Sequence, residues 1–255
     1  MLGKNRIKII RSLEHKKYRL KEKLFVAEGT KLVTALLASG WEVEFLAATP
    51  GWLRQEAPIA GNAHSVEEAS PDELARATFL KTAPPCLALC RLPEYSPELI
   101  SPGTDLVLCL DGIQDPGNLG TIVRLAGWFG ISDVVCSGDS ADLFAPKALQ
   151  ATMGALAGIR VHYLPLAPFL EQNNSPRVEI TGTFLDGENI YKAHLPGHGI
   201  VVMGNEGQGI RPAIAPLISR KVTIPDFAPA GIKPESLNVS VATAIVLSEF
   251  RRRKE

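Results

Sequence analysis

The chain has 255 residues, of which 45% are apolar and 21% are charged, as is typical of a soluble globular protein with one large or two small domains. Its formal net charge is +0, so composition alone does not indicate nucleic acid as a ligand, and no apolar run approaches the roughly 18 residues that span a membrane. The N-terminus has neither the apolar core nor the cleavage site of a secretory signal, so we expect a cytoplasmic, unprocessed protein with no membrane partner.

The first third of the chain alternates between helix and strand patterns. Residues 5–23 predict one short helix, and residues 1–24 carry nine lysines and arginines against two glutamates. Such a run can bind phosphates electrostatically, although in isolation a solvated helix face is the favoured interpretation. A strand then ends at Gly29, a helix capped by Thr30 ends at Gly40, and "WEVEFLAAT", "SVEEASPDELARAT" and "PPCLALCRL" predict strand, helix and strand. The alternation predicts a small α/β domain.

The segment "RLPEYSPELISPGTD", residues 91–105, is the clearest domain boundary. It holds three prolines and several turn-forming residues in fifteen positions, and such residues interrupt regular secondary structure. We therefore predict an N-terminal domain at residues 1–95, a proline-rich linker at 96–104 and a second domain at 105–255.

The second domain has the pattern of a parallel sheet. "DLVLCLDGI" is a continuous apolar run, which is typical of a strand buried on both faces, and "NLGTIVRLAGWFG" predicts a helix that ends at Gly130. Further strands are predicted at "ISDVVCS", "RVHYL", "VEITGTFL", "GIVVMG" and "VTIP", and further helices at "DLFAPKALQATMGALAG", "LAPFLEQNN" and "LNVSVATAIVLSEFRRRK". We expect an α/β fold with helices on both faces of the sheet.

The cysteines and histidines do not indicate a metal site. The cysteines lie in apolar surroundings without a CxxC pair, and the histidines lack the spacing of a zinc motif. We expect buried structural thiols and no bound metal.

Three short segments carry polar groups of the kind that bind ligands. The first is Asn118-x-Gly120-x-x-x-Arg124. Asn118 follows a buried strand, which is where α/β sheets bind their ligands. Arg124 lies among apolar neighbours on the following helix, so its charged head must reach solvent or an anion. An arginine that extends to solvent or pairs with a carboxylate without any catalytic role remains the alternative.

The second segment, "IVVMGNEGQGI" at residues 200–210, runs from an apolar strand into a glycine-rich loop. Glycines allow the backbone to approach a ligand closely. A dinucleotide-binding loop would require G-x-G-x-x-G at the first strand of its unit, whereas here the order is G-x-x-G-x-G, late in the chain. Glu206 within the loop would repel a pyrophosphate and suits a cationic ligand.

The third segment, residues 224–244, leads from a short strand through a loop into the terminal helix. Ser236 and Asn238 are both suitable N-cap residues, and capping alone would be the favoured interpretation of either.

The three segments together, in this order, resemble the motifs of the SpoU/TrmH-type RNA 2′-O-ribose methyltransferases, which belong to the SPOUT class of α/β-knot enzymes. "DPGNLGTIVRLAGWFG" is similar to the first motif, "MGNEGQGI" to the second, and the segment from "IP" at 224 to "EFRRR" to the third. The front segment resembles the ribosomal-protein-like RNA-binding domain of many members. The loop from Pro225 to Glu235 is longer than the compact form expected of the family.

The resemblance implies a trefoil knot, a homodimer whose active site is completed across the interface, and S-adenosylmethionine as the cofactor. The implied cofactor-binding residues are Phe184, Leu185, Met203, Gly204, Gly207, Ile224 and Leu237. The implied catalytic residues are Asn118, Arg124, Glu206, Ser236 and Asn238, with no metal. The implied reaction is methyl transfer to a ribose 2′-hydroxyl of structured RNA.

Arg124 explains the charged residue in an apolar helix if it points into this site. A guanidinium can contact both an RNA phosphate and the 2′-oxygen. Because it stays protonated, stabilising the developing alkoxide is physically easier for it than acting as the general base, but the sequence does not distinguish the two roles. Asn118 would orient Arg124 or the ribose, Glu206 would pair with Arg124 or offset the sulfonium charge, and Ser236 and Asn238 would complete the pocket.

Two other functional classes compete with this interpretation. A nucleotide-dependent α/β enzyme would need a phosphate loop that the sequence lacks, and a non-catalytic RNA-binding protein would not need all five polar residues. By analogy alone, the front domain favours ribosomal RNA over transfer RNA as the substrate.

Overall fold

The computed structural model describes residues 2–228 and 236–252. The chain forms two compact units, one of Met1–Glu94 with Asp142–Gly158, the other of Tyr95–Ala141 with Ile159–Glu255. Most of the long loop predicted from Pro225 to Glu235 lies outside the described residues. Among those that are described, no helix has the length and apolar character needed to cross a membrane.

The front part of the chain contains short helices around a small sheet. Its elements are α1 (Lys4–Ser12), α2 (Lys16–Glu22), β1 (Leu24–Glu28), α3 (Thr30–Ala38), β2 (Val43–Ala48), α4 (Pro50–Gln55), α5 (Ala57–Ala60), β3 (Val66–Glu68), α6 (Pro71–Ala77) and β4 (Cys86–Arg91). The strand order is β1-β4-β2-β3, with β4 antiparallel to β1 and β2, and β3 parallel to β2. The predicted α/β character of this part is confirmed.

Several local predictions for this part were wrong. The single helix expected at residues 5–23 is divided into α1 and α2, because the backbone at His15 is extended. Helices α4 and α5 and strand β3 were not predicted. Thr30 does not cap α3: Gly29 holds the cap position with a φ of 86°, and the Thr30 hydroxyl instead accepts a hydrogen bond of 3.0 Å from the indole of Trp52.

The rest of the chain contains the larger sheet. Its elements are β5 (Leu106–Leu110), α7 (Pro116–Trp128), β6 (Asp133–Cys136), α8 (Pro146–Thr152), β7 (Arg160–Tyr163), α9 (Leu166–Asn173), β8 (Ile180–Asn189), β9 (Gly199–Met203), β10 (Arg220–Thr223) and α10 (Val239–Arg252), with short 3₁₀ turns at Pro97–Leu99, Ala155–Gly158 and Ala215–Leu217. The strand order is β10-β8-β9-β5-β6-β7 and every pairing is parallel. The predicted parallel α/β sheet is confirmed, and the knot stays a prediction.

The chain changes direction in the sheet between the neighbouring strands β5 and β9. From β5 the chain continues to β6 on one side, and from β9 it continues to β10 on the other side. Ligands of open α/β sheets bind at such a switch point, outside the carboxyl ends of the strands. Both strands are fully buried, as their continuous apolar sequences predict.

The segment Asp142–Gly158 packs with the first unit, although it follows β6 in the chain. The ring of Phe144 lies 4.9 Å from that of Phe25, and Gln150 donates to the carbonyl of Glu28 at 3.3 Å. The crossover between β6 and β7 therefore supplies α8 to the first unit. The boundaries at residues 95 and 105 stay a prediction about where the chain can be divided.

A buried ion pair joins this segment to the N-terminal helices. Arg19, which is only 3% exposed, donates to Asp142 at 2.7 Å and to the carbonyls of Leu13 and Glu14 at the end of α1. Since a guanidinium cannot be neutralised, its burial depends on the carboxylate.

We expect Asp142→Ala to destabilise the first unit by about 3 kcal/mol, because the change leaves the Arg19 charge buried without its partner. Urea denaturation followed by the fluorescence of Trp41 and Trp52 measures this loss. The control is Glu94→Ala, which removes an ion pair with Lys23 whose side chains are 65% and 79% exposed, and which we expect to leave the curve unchanged. Equal effects of the two variants would contradict a special role of the buried pair.

The cysteines of the described chain are reduced and buried. Burial raises the pKa of the Cys86 and Cys136 thiols to about 12, so the nucleophilic thiolate is disfavoured at neutral pH. The predicted burial of the cysteines is confirmed, and their structural role stays a prediction.

Candidate active site at the carboxyl edge of the parallel sheet

A pocket of about 580 Å³ lies at the carboxyl ends of β9 and β10, beside the middle of β8, just after the part of β8 that pairs with β9. Its apolar wall comes from these three strands and the start of α10, and the glycine-rich loop Gly204–Gly209 closes one side. The volume suits a ligand of nucleoside size. The pocket is lined by all seven of the predicted cofactor-binding residues, which are Phe184, Leu185, Met203, Gly204, Gly207, Ile224 and Leu237.

The loop after β9 is a compact turn that only a glycine at position 204 allows. A β-carbon at Gly204 would lie 2.2 Å from the carbonyl carbon of Gly209. The two ends of the loop pair, because Asn205 and Gly209 exchange backbone hydrogen bonds of 3.0 and 2.8 Å. The Asn205 side chain accepts from the amides of Gly207 and Gln208 at 2.9 and 3.2 Å. The loop therefore has one defined shape, with Glu206 at its turn.

Glu206 joins two asparagines that are distant in the sequence. The side-chain amide of Asn118 donates a short hydrogen bond to its carboxylate, and that of Asn238 donates to the same oxygen at 3.1 Å. Asn238 also donates to the Asn118 side-chain oxygen at 3.1 Å. The three side chains form what we call the amide–carboxylate cluster, which lies beside the pocket with Glu206 and Asn238 exposed and Asn118 half-buried.

The starts of α7 and α10 hold this cluster in place. Asp115 caps α7 by accepting from the backbone amide of Asn118 at 2.9 Å. Asn238 caps α10, since its side-chain oxygen accepts from the Ser240 amide and hydroxyl at 3.0 and 2.6 Å. Of the two candidate caps, Asn238 thus takes this position, and Ser236 lines the pocket instead. The functional and capping interpretations of Asn238 are therefore both compatible with its geometry.

Arg124 is separate from the cluster. Its side chain is exposed, and within residues 2–228 and 236–252 it has no hydrogen bond or ion pair. Glu206 and Asn118 bond to each other and to Asn238. In the single chain, neither the alternative in which Glu206 pairs with Arg124 nor the one in which Asn118 orients Arg124 is therefore present, whereas the alternatives that involve the sulfonium charge and the ribose stay predictions. Trp128, one helical turn further along α7, is 84% exposed. Arg124 and Trp128 thus share one open face of the helix.

Residues that sequence reasoning missed connect the loops around the site. Asp111, directly after β5, is 0% exposed and accepts three hydrogen bonds from Arg211, which follows the glycine-rich loop. Arg211 also donates to Asp139, after β6, at 3.1 Å. The sequence showed only one charged residue at the end of an apolar strand and another just after a glycine-rich loop, and neither position indicates which residue is the partner.

The charges of the pocket fit a cationic ligand. Among the described residues that line it, Glu206 alone carries a formal charge. A carboxylate disfavours a phosphate and favours a sulfonium by Coulomb attraction. The apolar wall suits an adenine and ribose, so the residues present are compatible with S-adenosylmethionine.

A cluster of metal-ligand type occurs elsewhere, in the first unit. Glu42, Glu44 and His64 lie close enough together to hold an ion. Arg91 already pairs with both carboxylates, at 3.4 and 2.5 Å. The guanidinium thus supplies the positive charge at this position, and the expectation of no bound metal stays a prediction.

Comparisons with known proteins agree with this geometry. Residues 105–248 match the family model described as the SpoU rRNA Methylase family, and residues 4–88 match the MRM3-like substrate binding domain. The chain is 29% identical to the 23S rRNA (guanosine(2553)-2′-O)-methyltransferase RlmP of Bacillus subtilis, over 96% of each chain.

Two solved structures are similar over nearly the whole chain. A TrmH-family protein from Porphyromonas gingivalis is 41% identical, with a TM-score of 0.88 and 99% of both chains covered. An AdoMet-bound rRNA methyltransferase from Sinorhizobium meliloti is 30% identical, with a TM-score of 0.86, and the match covers 99% of this chain and 96% of that one. The likeness therefore extends over both units.

Proposed function

The chain belongs to the SpoU rRNA methylase family, and from that premise we propose that it transfers a methyl group from S-adenosylmethionine to a ribose 2′-hydroxyl in ribosomal RNA. The observation that carries the proposal is the amide–carboxylate cluster at the mouth of a pocket in which Glu206 is the one formally charged residue among the lining residues that the structure describes. The relative from Bacillus subtilis is named for the same reaction on 23S rRNA, which supports ribosomal RNA as the substrate.

The pocket residues would bind the cofactor through shape and charge. S-adenosylmethionine supplies, when bound, an electrophilic methyl group on a sulfonium cation. Phe184, Leu185, Ile224 and Leu237 provide the apolar wall, and the glycine-rich loop brings backbone close to the ligand. The Glu206 carboxylate offsets the positive charge of the ligand, and Ser236 offers a hydroxyl to the pocket.

The remaining polar groups would act on the RNA. Methyl transfer would form the oxygen–methyl bond as the sulfur–methyl bond breaks, and the 2′-hydroxyl proton would pass to solvent water at this exposed site. The enzyme must therefore stabilise alkoxide character on that oxygen. Arg124 has a charged guanidinium, without a partner among residues 2–228 and 236–252, that can contact the oxygen and an adjacent phosphate. Asn118 and Asn238, held by Glu206, offer amide groups that orient the ribose. We assign Arg124 the role of electrostatic stabiliser, because it stays protonated.

The first unit would bind the RNA away from the reacting ribose. The lysines at positions 4, 8, 16 and 17 are exposed and have no hydrogen bond or ion pair within the described part of the chain. Unpaired lysines bind RNA phosphates without base specificity. This unit matches a family model that is itself described as a substrate binding domain.

A homodimer belongs to the same proposal. Trp128 is 84% exposed, which is unusual for a large aromatic side chain. It lies one turn from Arg124, so a partner that covers Trp128 also approaches Arg124 and can complete the site. The proposed location is the cytoplasm, where bacterial ribosomes are assembled.

We expect Trp128→Asp to convert the protein from dimer to monomer, because a carboxylate cannot be buried in an apolar interface without a partner. Sedimentation velocity measures the change in mass. The control is Leu99→Asp, at another exposed apolar side chain of the same unit, and it should remain dimeric. A wild-type protein that sediments as a monomer would contradict the dimer.

The function itself is tested by methyl transfer from labelled S-adenosylmethionine to total RNA from a strain that lacks the gene, followed by mapping of alkali-resistant 2′-O-methyl sites. We expect one new site, in ribosomal RNA. A site in transfer RNA would confirm the chemistry and change the substrate. Binding of S-adenosylmethionine without incorporation would indicate that an assembly intermediate is required. Neither binding nor incorporation would favour a non-catalytic RNA-binding protein.

A further inference from the structure

Arg211 connects several loops around the site, although no catalytic or cofactor-binding role has been assigned to it. Its backbone amide and its guanidinium Nε donate to the Asp111 carboxylate at 2.8 and 2.7 Å, and its Nη2 donates a third, short bond. Its Nη1 donates to Asp139 at 3.1 Å. One guanidinium thus joins the segments that follow β5, β6 and β9.

Asp111 makes this connection rigid. Its side chain is completely buried, and its own backbone amide donates to the Met203 carbonyl at the end of β9 at 2.9 Å. A buried carboxylate requires a fixed counter-charge, and Arg211 provides it with three hydrogen bonds. The segment after the glycine-rich loop is therefore attached to the end of β5.

Asn205 attaches the other end of the same loop. Its side-chain amide donates to the Gly112 carbonyl at 2.7 Å, one residue after Asp111. The loop is thus held on both sides of Glu206 by the segment that leads to Asn118. Such attachment at both ends fixes where the Glu206 carboxylate lies relative to the start of α7.

We propose that Arg211 is a positioning residue, which through Asp111 holds the glycine-rich loop so that Glu206 meets Asn118 and Asn238 and faces the cofactor. This inference rests on the proposed function. Arg211 does not line the pocket, so its influence on the ligand passes through the loop. A change at Arg211 should therefore have the same effect on ligand binding as a change at Glu206.

A double-mutant cycle on cofactor binding tests this. S-adenosylmethionine, which is cationic at sulfur, and S-adenosylhomocysteine, which is not, are titrated by calorimetry into wild type, Arg211→Gln, Glu206→Gln and the double variant. We expect each single change to lower the affinity for S-adenosylmethionine about tenfold and to lower the affinity for S-adenosylhomocysteine much less. The double variant should bind S-adenosylmethionine no more weakly than Glu206→Gln alone.

The matched control is Arg160→Gln. Arg160 also binds a buried aspartate through two hydrogen bonds, to Asp133 at 2.8 and 2.6 Å, and its side chain is 36% exposed against 37% for Arg211. It lies on β7, away from the pocket. We expect Arg160→Gln to leave both affinities and their ratio unchanged.

Two further measurements keep the test decisive if Arg211→Gln folds poorly. Arg211→Lys retains the charge and should give an intermediate loss. In the ligand-free protein, amide hydrogen exchange at Gly207 and Gln208 should accelerate in Arg211→Lys and not in Arg160→Gln.

An equal loss of affinity for both ligands, or additive losses from Arg211→Gln and Glu206→Gln, would overturn the positioning role while leaving the proposed function intact. Wild-type protein that binds neither ligand would overturn the proposed function, and the inference with it.

Discussion

Arg124→Ala is expected to lower the rate of methyl transfer by about 1,000-fold, which is the size of the loss when an enzyme loses a preorganised group that stabilises a developing oxyanion. The affinity for S-adenosylmethionine and the thermal stability should remain those of wild type, because Arg124 is exposed and makes no bond in the described part of the chain. Single-turnover methyl transfer, calorimetric titration and thermal denaturation measure the three quantities.

Two further variants test the assignment of Arg124. Arg124→Lys keeps the charge but loses the planar pair of donors, so we expect it to recover only a small part of the rate. Arg177→Ala removes another exposed arginine of the second unit and should transfer at the wild-type rate. Turnover at the wild-type rate by the Arg124→Ala variant would contradict the assignment of Arg124 as the electrostatic stabiliser.

Gly204→Ala has the second largest expected effect. The β-carbon would lie between 2.2 and 2.5 Å from backbone atoms of Gly209 and Ile210, and backbone on both sides of the turn cannot move aside without opening it. We expect the affinity for S-adenosylmethionine to fall at least about 100-fold and the free energy of unfolding to fall by about 2 kcal/mol. Calorimetry and urea denaturation measure the two losses.

The control for this prediction comes from the same loop. A β-carbon at Gly207 would meet nothing closer than the side-chain oxygen of Asn205 at 3.6 Å. Gly207→Ala should therefore keep wild-type stability, whatever it does to the ligand. Neither glycine has a positive φ, so the difference between the two variants would be one of space alone. Equal stabilities of the two variants would contradict the steric argument.

The amide–carboxylate cluster shows how the fold creates a contact that no local pattern contains. Asn118 and Glu206 are 88 positions apart in the chain. They meet because β5 and β9 are adjacent and parallel, with Leu110 paired to Met203 at their last residues. Sequence patterns predicted both strands and both polar residues, but the order of strands in the sheet depends on long-range packing.

Arg124 lies on a predicted helix, and its side chain reaches solvent. Solvent was one of two positions expected of a charged residue among apolar ones, the other being an anion. In the single chain, Glu206 and Asn118 bond to each other and to Asn238, so of the two roles expected of Glu206 the offset of the sulfonium charge is the one that this geometry leaves open, and the role of Arg124 stays a prediction.

By itself, the sequence determined most of the elements of the parallel sheet and the family. Apolar runs specified buried strands, glycines marked the loop beside the pocket, and the three motifs contain five of the seven predicted cofactor-binding residues that line the pocket. The other two, Phe184 and Leu185, lie on a strand outside the motifs. Only the tertiary structure decided which distant charges pair, as Arg211 with Asp111 and Arg19 with Asp142, and which unit receives α8. The reason is physical: helix and strand patterns depend on neighbours in the chain, whereas the partner of a buried charge depends on which surfaces the whole fold brings together.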